Sequence, residues 1–129
     1  MTREQLRQYR DLSKERNQLE KQLNGISVTL AALSPYVPRQ RLNFIGQRVS
    51  TTILPKLDRL TEELAEIENA LETLEVRERL LLRSYYIEGR KWDDVCQAVG
   101  YERSQAYKIH AAALEKLEQN HLLTGEKQD

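Results

Sequence analysis

The chain has few residues of several types, and each scarcity excludes a class of protein. A single cysteine, Cys96, rules out an intramolecular disulfide framework and fits a reducing compartment. Three prolines and five glycines in 129 residues leave long stretches free of helix breakers. No apolar run reaches the roughly 20 residues of a membrane helix. The N-terminus MTREQLRQYR has no apolar signal-peptide core. We therefore expect a cytoplasmic protein with no membrane partner.

The charges of the chain balance, because 20 Lys and Arg residues accompany 20 Asp and Glu residues. A protein that holds nucleic acid by bulk electrostatics carries a large positive excess, so this balance argues against that class. Charged residues make up 31% of the sequence. Together with the low glycine and proline content, this is typical of long helices and coiled coils. The expected fold class is all-α.

Residues 2–33 are predicted to form one long helix. Its apolar residues recur at alternating steps of three and four, which is the a/d seam of a coiled coil. Arg16 places a cation within this seam. Gly25 lies inside the helix, where a glycine lowers helix stability by roughly 1 kcal/mol relative to Ala. The predicted seam comprises Tyr9, Leu12, Arg16, Leu19, Leu23, Ile26, Leu30 and Leu33.

A second long helix is predicted over residues 55–87, with Pro55 in its first turn, where the missing amide hydrogen is tolerated. Its outer face is acidic between residues 58 and 75. Glu78 places an anion where the seam favours an apolar residue. The predicted seam comprises Leu57, Leu60, Leu64, Ile67, Leu71, Leu74, Glu78, Leu81 and Tyr85.

The predicted loop 34–55 contains Pro35, Pro38 and Pro55, which disfavour continued helix. Plain connections of about 20 residues are uncommon in compact domains. The segment is therefore either a functional loop that binds a partner or phosphate, or a hairpin connector that contains a short helix.

The two seams predict an antiparallel coiled-coil hairpin over residues 1–73. Aligning Leu33 with Leu57 brings Glu78 within one turn of Arg16, where an ion pair would fix the register. The alternative is a parallel coiled coil between two chains, which would make a homodimer. The two arrangements are compatible with each other in a four-helix dimer.

Residues 74–120 are predicted to form a helix-turn-helix domain, followed by a flexible tail at 121–129. Trp92, Val95, Cys96 and Val99 share one face of a short helix over residues 91–99. Gly100 ends that helix, and a second helix follows at about 103–119. Two helices joined by a short glycine-containing turn are the core of a helix-turn-helix. The predicted inward face of the second helix is Ala106, Ile109, His110, Ala113, Leu114 and Leu117.

The outward face of the second helix carries side chains suited to reading double-stranded DNA. A recognition helix contacts base edges in the major groove with its N-terminal residues. The Gln105 amide suits adenine, Lys108 suits guanine or phosphate, and Ser104 suits either base. Arg103, at the helix start, suits phosphate. The predicted DNA-binding residues are Arg103, Ser104, Gln105, Tyr107, Lys108, Ala111 and Ala112.

The segment YYIEGRKWDDVCQAVGYERSQAYKIHAAALEKL resembles the C-terminal helix-turn-helix of small phage and prophage sigma-factor-like regulators of the RinA/ArpU type. The coiled coil and the stretch RVSTTILPKLDRL are similar to the same family, so the resemblance covers nearly the whole chain. It is most specific over residues 85–117. The matching positions are Tyr86, Ile87, Glu88, Gly89, Trp92, Val95, Gly100, Tyr101, Gln105, Tyr107, His110, Ala113 and Leu114.

The resemblance implies a phage-encoded activator of late genes, acting in a bacterial host cell. It implies promoter contact through the last helix. In the predicted regulator, the coiled-coil arm dimerises or contacts RNA polymerase. The chain departs from the family pattern at Lys91, Glu102, Ala111 and Ala112. The neutral charge, Glu102 and the two alanines favour the alternative, an adaptor or a phage DNA-packaging subunit that uses the helix-turn-helix for protein docking.

No residue pattern predicts an enzyme, a cofactor or a metal site. His110 and His121 do not share a helix face with acidic partners, and His110 lies on the predicted inward face, where a packed core histidine is the simpler interpretation. Cys96 lies on an apolar face and is interpreted as a small buried hydrophobe. Zinc-ligand spacings, glycine-rich phosphate loops and nucleophile motifs are absent from the sequence.

Overall fold

The computed structural model describes the backbone of residues 2–128 and the side chains of residues 2–119. The fold is all-α, as the sequence predicts, with no strand in that part of the chain. The predicted tail, 121–129, lies outside the residues described with side chains. The helices are α1 (Arg3–Leu33), α2 (Arg39–Thr52), α3 (Leu54–Glu72), α4 (Val76–Leu82), a π-helical segment (Arg83–Ile87), α5 (Trp92–Val99) and α6 (Arg103–Gln128).

The chain divides into two compact units. Unit 1 consists of Met1–Asp11 and Leu64–Asp129, and unit 2 consists of Leu12–Glu63. This division differs from the predicted boundary after residue 73. The reason is that the first turns of α1 and the last turns of α3 belong to the C-terminal unit, in which Leu6 and Leu71 are completely buried.

Residues 34–55 contain the helix α2, so the interpretation in which this segment contains a short helix is confirmed. The connection after α1 is a short turn. In it, the N–H groups of Tyr36 and Val37 both donate to the carbonyl of Leu33, at 2.9 and 3.0 Å. Pro38 precedes α2 with φ −54° and ψ 139°, which suits the entry to a helix. Ile53 separates α2 from α3, and Pro55 lies in the first turn of α3 as predicted.

The predicted single helix over residues 55–87 is wrong, because the chain breaks between α3 and α4. The N–H of Thr73 donates to the carbonyl of Ala70 and the N–H of Leu74 to that of Leu71, which tightens the end of α3. Glu75 then adopts an extended backbone and caps α4 through a capping box with Glu78. Glu78 therefore belongs to the first turn of a new helix and not to a continuous seam.

The predicted register of the two seams is also wrong. In unit 2, Arg16 Nε donates to Thr61 Oγ1 at 3.1 Å, whereas the alignment of Leu33 with Leu57 places Arg16 opposite Leu74. Arg16 also pairs with Glu20 at 2.8 Å within α1. The proposed ion pair between Arg16 and Glu78 is not formed, because each has a different partner. The hairpin itself stays a prediction.

The predicted seam residues differ in burial between the two units. In unit 2 the seam is mostly half-buried, and only Leu60 is buried to 3% exposure. In unit 1 most of the seam residues are buried, because α4, the π-helical segment and α6 add further packing, but Tyr9 is half-buried and Tyr85 is 38% exposed. Half-buried seam residues are Leu12, Leu19, Leu23, Ile26 and Leu57, and buried ones are Leu60, Leu64, Ile67 and Leu71.

Unit 1 holds the main apolar core. Helix α4 packs against α5 and α6, and α5 packs against α6. Gly89 follows the π-helical segment with φ 70°, the left-handed conformation that commonly ends a helix. The buried apolar residues of unit 1 are Leu6, Leu64, Ile67, Leu71, Leu74, Leu81, Leu82, Tyr86, Val95, Cys96, Ala106, Ile109, Ala113 and Leu117.

Candidate nucleic-acid interface

A three-residue connection joins α5 to α6. Gly100 adopts the left-handed conformation, with φ 77° and ψ 27°. The N–H groups of Gly100 and Tyr101 donate to the carbonyl of Cys96, at 3.0 and 3.1 Å, and so satisfy the end of α5. The N–H of Ala106 donates to the carbonyl of Glu102 at 2.9 Å and starts α6. The bounds of α5 and the start of α6 agree with the sequence prediction to within one residue.

The orientation of α6 about its axis is fixed by small and apolar residues at steps of three and four. Ala106 and Ala113 are completely buried, which lets the backbone of α6 approach its neighbours closely. Ile109 and Leu117 are 9% and 2% exposed, and Leu114 is half-buried. The predicted inward face of α6 is therefore confirmed. Its outward face follows from the helical repeat of 100° per residue.

An aromatic cluster joins α5, α6 and the π-helical segment. The Trp92 ring stacks on Tyr107 with centroids 4.7 Å apart and meets Tyr85 and His110 edge-on at 5.3 and 5.4 Å. Tyr86 stacks on His110 at 5.7 Å. The buried indole N–H of Trp92 meets no acceptor in the part of the chain described with side chains. Packing, and not hydrogen bonding, therefore holds this ring between the two helices.

The surroundings of His110 favour its neutral form. Burial lowers its pKa from the ordinary value of 6.5, and the charges of Arg3 and Arg7 lower it further. The Tyr86 hydroxyl lies 2.8 Å from His110 Nε2. A neutral imidazole can accept this hydroxyl hydrogen at Nε2, so the hydrogen bond and the direction of the pKa agree. The interpretation of His110 as a packed core residue fits this geometry.

The seven predicted DNA-binding residues all lie on the exposed side of α6. Tyr107 is 53% exposed, with one ring face on Trp92. Arg103 forms an ion pair with Asp93, in the first turn of α5. The structure thus leaves an exposed row at the start of α6 with one of its two cations already paired. The row is Arg103, Ser104, Gln105, Tyr107, Lys108, Ala111 and Ala112.

Most cations within residues 64–119 of unit 1 are neutralised by carboxylates of the same unit. Lys91 and Lys108 differ, because neither forms an ion pair within the residues described with side chains. Few cations from the C-terminal helices are therefore available to phosphate groups. The paired cations are Arg77 with Glu75, Arg79 with Glu72, Arg83 with Glu68, Arg90 with Glu88, Arg103 with Asp93, and Lys116 with Glu78.

The sequence prediction missed the part that α1 plays in this unit. Leu6 is completely buried, and Arg3 and Arg7 lie within electrostatic reach of His110 on α6. Arg10 approaches Gly89 so closely that a Cβ there would overlap its guanidinium group. One signal was present in the sequence, because Leu6 precedes Tyr9 by three residues and extends the apolar seam by one step.

No group of three or more metal-ligating side chains occurs within the described residues. In the same part of the chain, no helix combines the length and apolar character needed to cross a bilayer. Comparison with known proteins finds no matching family model. It also finds no matching curated protein and no matching solved structure.

Proposed function

We propose that the protein is a sequence-specific DNA-binding transcription regulator in which α6 reads the major groove. The observation that carries this proposal is the exposed polar row at the start of α6, opposite a buried face that fixes its orientation. Gln105 and Lys108 are one helical turn apart and face the same side. The resemblance to phage late-gene activators supports the same function and a phage origin.

The experiment is a fluorescence-anisotropy screen at low salt over DNA from the protein's own genomic neighbourhood, with and without RNA polymerase. Selective binding of one fragment over random DNA of equal length is the expected result. Gln105→Ala with Lys108→Ala should abolish this selectivity and leave the melting temperature unchanged, because both side chains are exposed. Failure of every fragment to exceed random DNA would exclude the proposal.

A matched control exists on α1. Gln18 and Lys21 are the same residue types at the same spacing of three, and both are exposed on a helix. Gln18→Ala with Lys21→Ala should keep wild-type DNA selectivity. Equal losses in the two double variants would show a general charge effect and would contradict base reading by α6.

The arm formed by α1, α2 and the first turns of α3 is proposed to join two copies or to contact RNA polymerase. Half-buried seam residues in unit 2 support this role, as do Tyr36 and Phe44, which are 85% and 59% exposed. Light scattering tests the dimer directly. A monomer mass at working concentration would exclude self-association and leave the polymerase contact.

The second candidate is an adaptor or phage DNA-packaging subunit. It is favoured by an apolar groove beside the α5–α6 connection, in which Val76 and Leu80 are 62% and 51% exposed and lie next to Val99 and Tyr101. Exposed apolar residues of this kind mark protein contacts. The ion pairs within unit 1 also favour it. The DNA screen discriminates between the two functions.

A further inference from the structure

Residues 64–119 of unit 1 have few cations available for DNA binding. Phosphate neutralisation by Lys and Arg supplies most of the affinity of a DNA-binding protein. Six cations of this part are paired with carboxylates, and the exposed row of α6 keeps only Lys108 unpaired within the described residues. A binding unit with so few available cations needs a further source of positive charge.

The first turns of α1 supply that charge. Arg3, Arg7 and Arg10 lie within eight residues that hold one acidic residue, Glu4. All three arginines are exposed. The only ion pair they form within the described part of the chain is the one between Arg7 and Glu4, at 3.9 Å, and its two side chains are 53% and 71% exposed. Solvent-exposed pairs at this distance are weak, so a phosphate can replace Glu4.

Three contacts fix this segment to the DNA-reading unit. Leu6 is completely buried in the unit 1 core. Tyr9 donates a hydrogen bond from its hydroxyl to Glu68 Oε1 at 2.6 Å. Arg10 lies against Gly89, just before α5. The arginines are therefore carried on a helix that is anchored to unit 1, and the charges of Arg3 and Arg7 act on His110, which is half-buried on the inward face of α6.

We propose that Arg3 and Arg7, held on unit 1 by the first turns of α1, contact phosphate groups that flank the bases read by α6. This inference rests on the proposed DNA-binding function and adds two residues to its interface. The two arginines are one helical turn apart, a rise of about 6 Å. Phosphates of one strand follow each other every 3.4 Å along the duplex axis, so this rise spans roughly two phosphate steps.

The test compares salt dependence of DNA binding for the full chain and the double variant Arg3→Gln with Arg7→Gln. The probe is the fragment selected in the low-salt screen, titrated from 50 to 200 mM salt. Each phosphate contact contributes about −0.9 to the slope of log K against log salt. Loss of two contacts should make the slope shallower by about 2 and weaken binding at 50 mM salt several-fold or more.

Lys14→Gln with Lys21→Gln is the matched control, because it also removes two positive charges from exposed positions of α1. Both of its positions lie in unit 2. Its slope should equal that of the wild type. Equal slopes for all three proteins would overturn this inference and leave α6 as the DNA reader. Equal changes in the two double variants would also overturn it, as a net-charge effect. A wild type that binds no fragment would remove the proposed function and this inference with it.

A second measurement checks the placement of the arginines without DNA. The charges of Arg3 and Arg7 help to lower the pKa of His110, so the Arg3→Gln and Arg7→Gln variant should raise that pKa. NMR titration in a His121→Gln background observes the single remaining histidine. An unchanged pKa of His110 would show that the arginines lie away from α6 and would contradict the proposal. Melting temperatures of both variants should match the wild type.

Discussion

Lys116 on α6 donates a hydrogen bond to Glu78 on α4, with 2.9 Å between Nζ and Oε1. Glu78 is only 4% exposed, and its carboxylate also accepts a hydrogen bond from the N–H of Glu75. One buried carboxylate thus caps α4 and ties it to α6. This contact raises the pKa of Lys116, because the hydrogen bond to Glu78 favours the charged ammonium.

Glu78→Ala should lower the free energy of unfolding by about 1–2 kcal/mol, because it removes the acceptor that caps α4. Glu78→Gln keeps an oxygen acceptor at the same position and should cost less. Chemical denaturation measures both. Equal stability of Glu78→Ala and the wild type would contradict the role of this residue as a cap.

Leu6→Ala should lower the free energy of unfolding by about 2–5 kcal/mol, because it deletes buried methyl groups from the unit 1 core. Leu33→Ala is the same chemical change on the same helix, where Leu33 is 39% exposed, and it should cost much less. Thermal and chemical denaturation measure both variants. A small effect of Leu6→Ala would show that the start of α1 does not pack into unit 1.

Stability should fall as the pH is lowered below 6.5. The pKa of His110 in the folded protein lies below its ordinary value of 6.5 because of burial and the charges of Arg3 and Arg7. Between these two pKa values the unfolded chain binds more protons, so acid favours unfolding. His110→Gln should flatten this dependence between pH 7 and the folded pKa. Denaturation series at several pH values measure it, and an unchanged slope would contradict the assignment.

A second acid-dependent loss should follow below pH 4.5. Burial raises the pKa of Glu68, but hydrogen bonds from Arg83 and Tyr9 outweigh it, so the net pKa lies below 4.5. The stability contributed by this carboxylate is present above pH 4.5 and is lost as the pH falls through the folded pKa. Glu68→Gln should remove that loss. A variant with the same acid midpoint as the wild type would show that other carboxylates dominate.

Two glycine substitutions should have opposite effects on the stability of the protein. Gly25 lies inside α1, and a Cβ there meets nothing within 4 Å among the described atoms, so Gly25→Ala should stabilise the protein by up to about 1 kcal/mol. Gly100 has open space but a φ of 77°, so Gly100→Ala should cost about 1–2 kcal/mol. Melting temperatures check both, and a gain at Gly100 would contradict its left-handed conformation.

Local patterns in the sequence determined the all-α class, the start of α1, the bounds of α5 and the inward face of α6. Each of these depends on residues within a few turns of one another. The period of Ala106, Ile109 and Ala113 fixes which side of α6 is buried, and Gly100 fixes where α5 ends. The exposed row that carries the proposed function follows from the same period.

Only the tertiary structure decided where the second predicted helix breaks, which partner Glu78 takes and that the first turns of α1 pack into unit 1. The spacing of three and four continues through Leu71, Leu74 and Glu78, yet the capping box at Glu75 starts a new helix there. Lys116 lies 38 residues from Glu78, and Leu6 is buried in a unit whose second segment begins only at Leu64. Such contacts cannot be recognised from a local repeat in the sequence. The pattern alone permits several seam registers, and long-range packing selects among them.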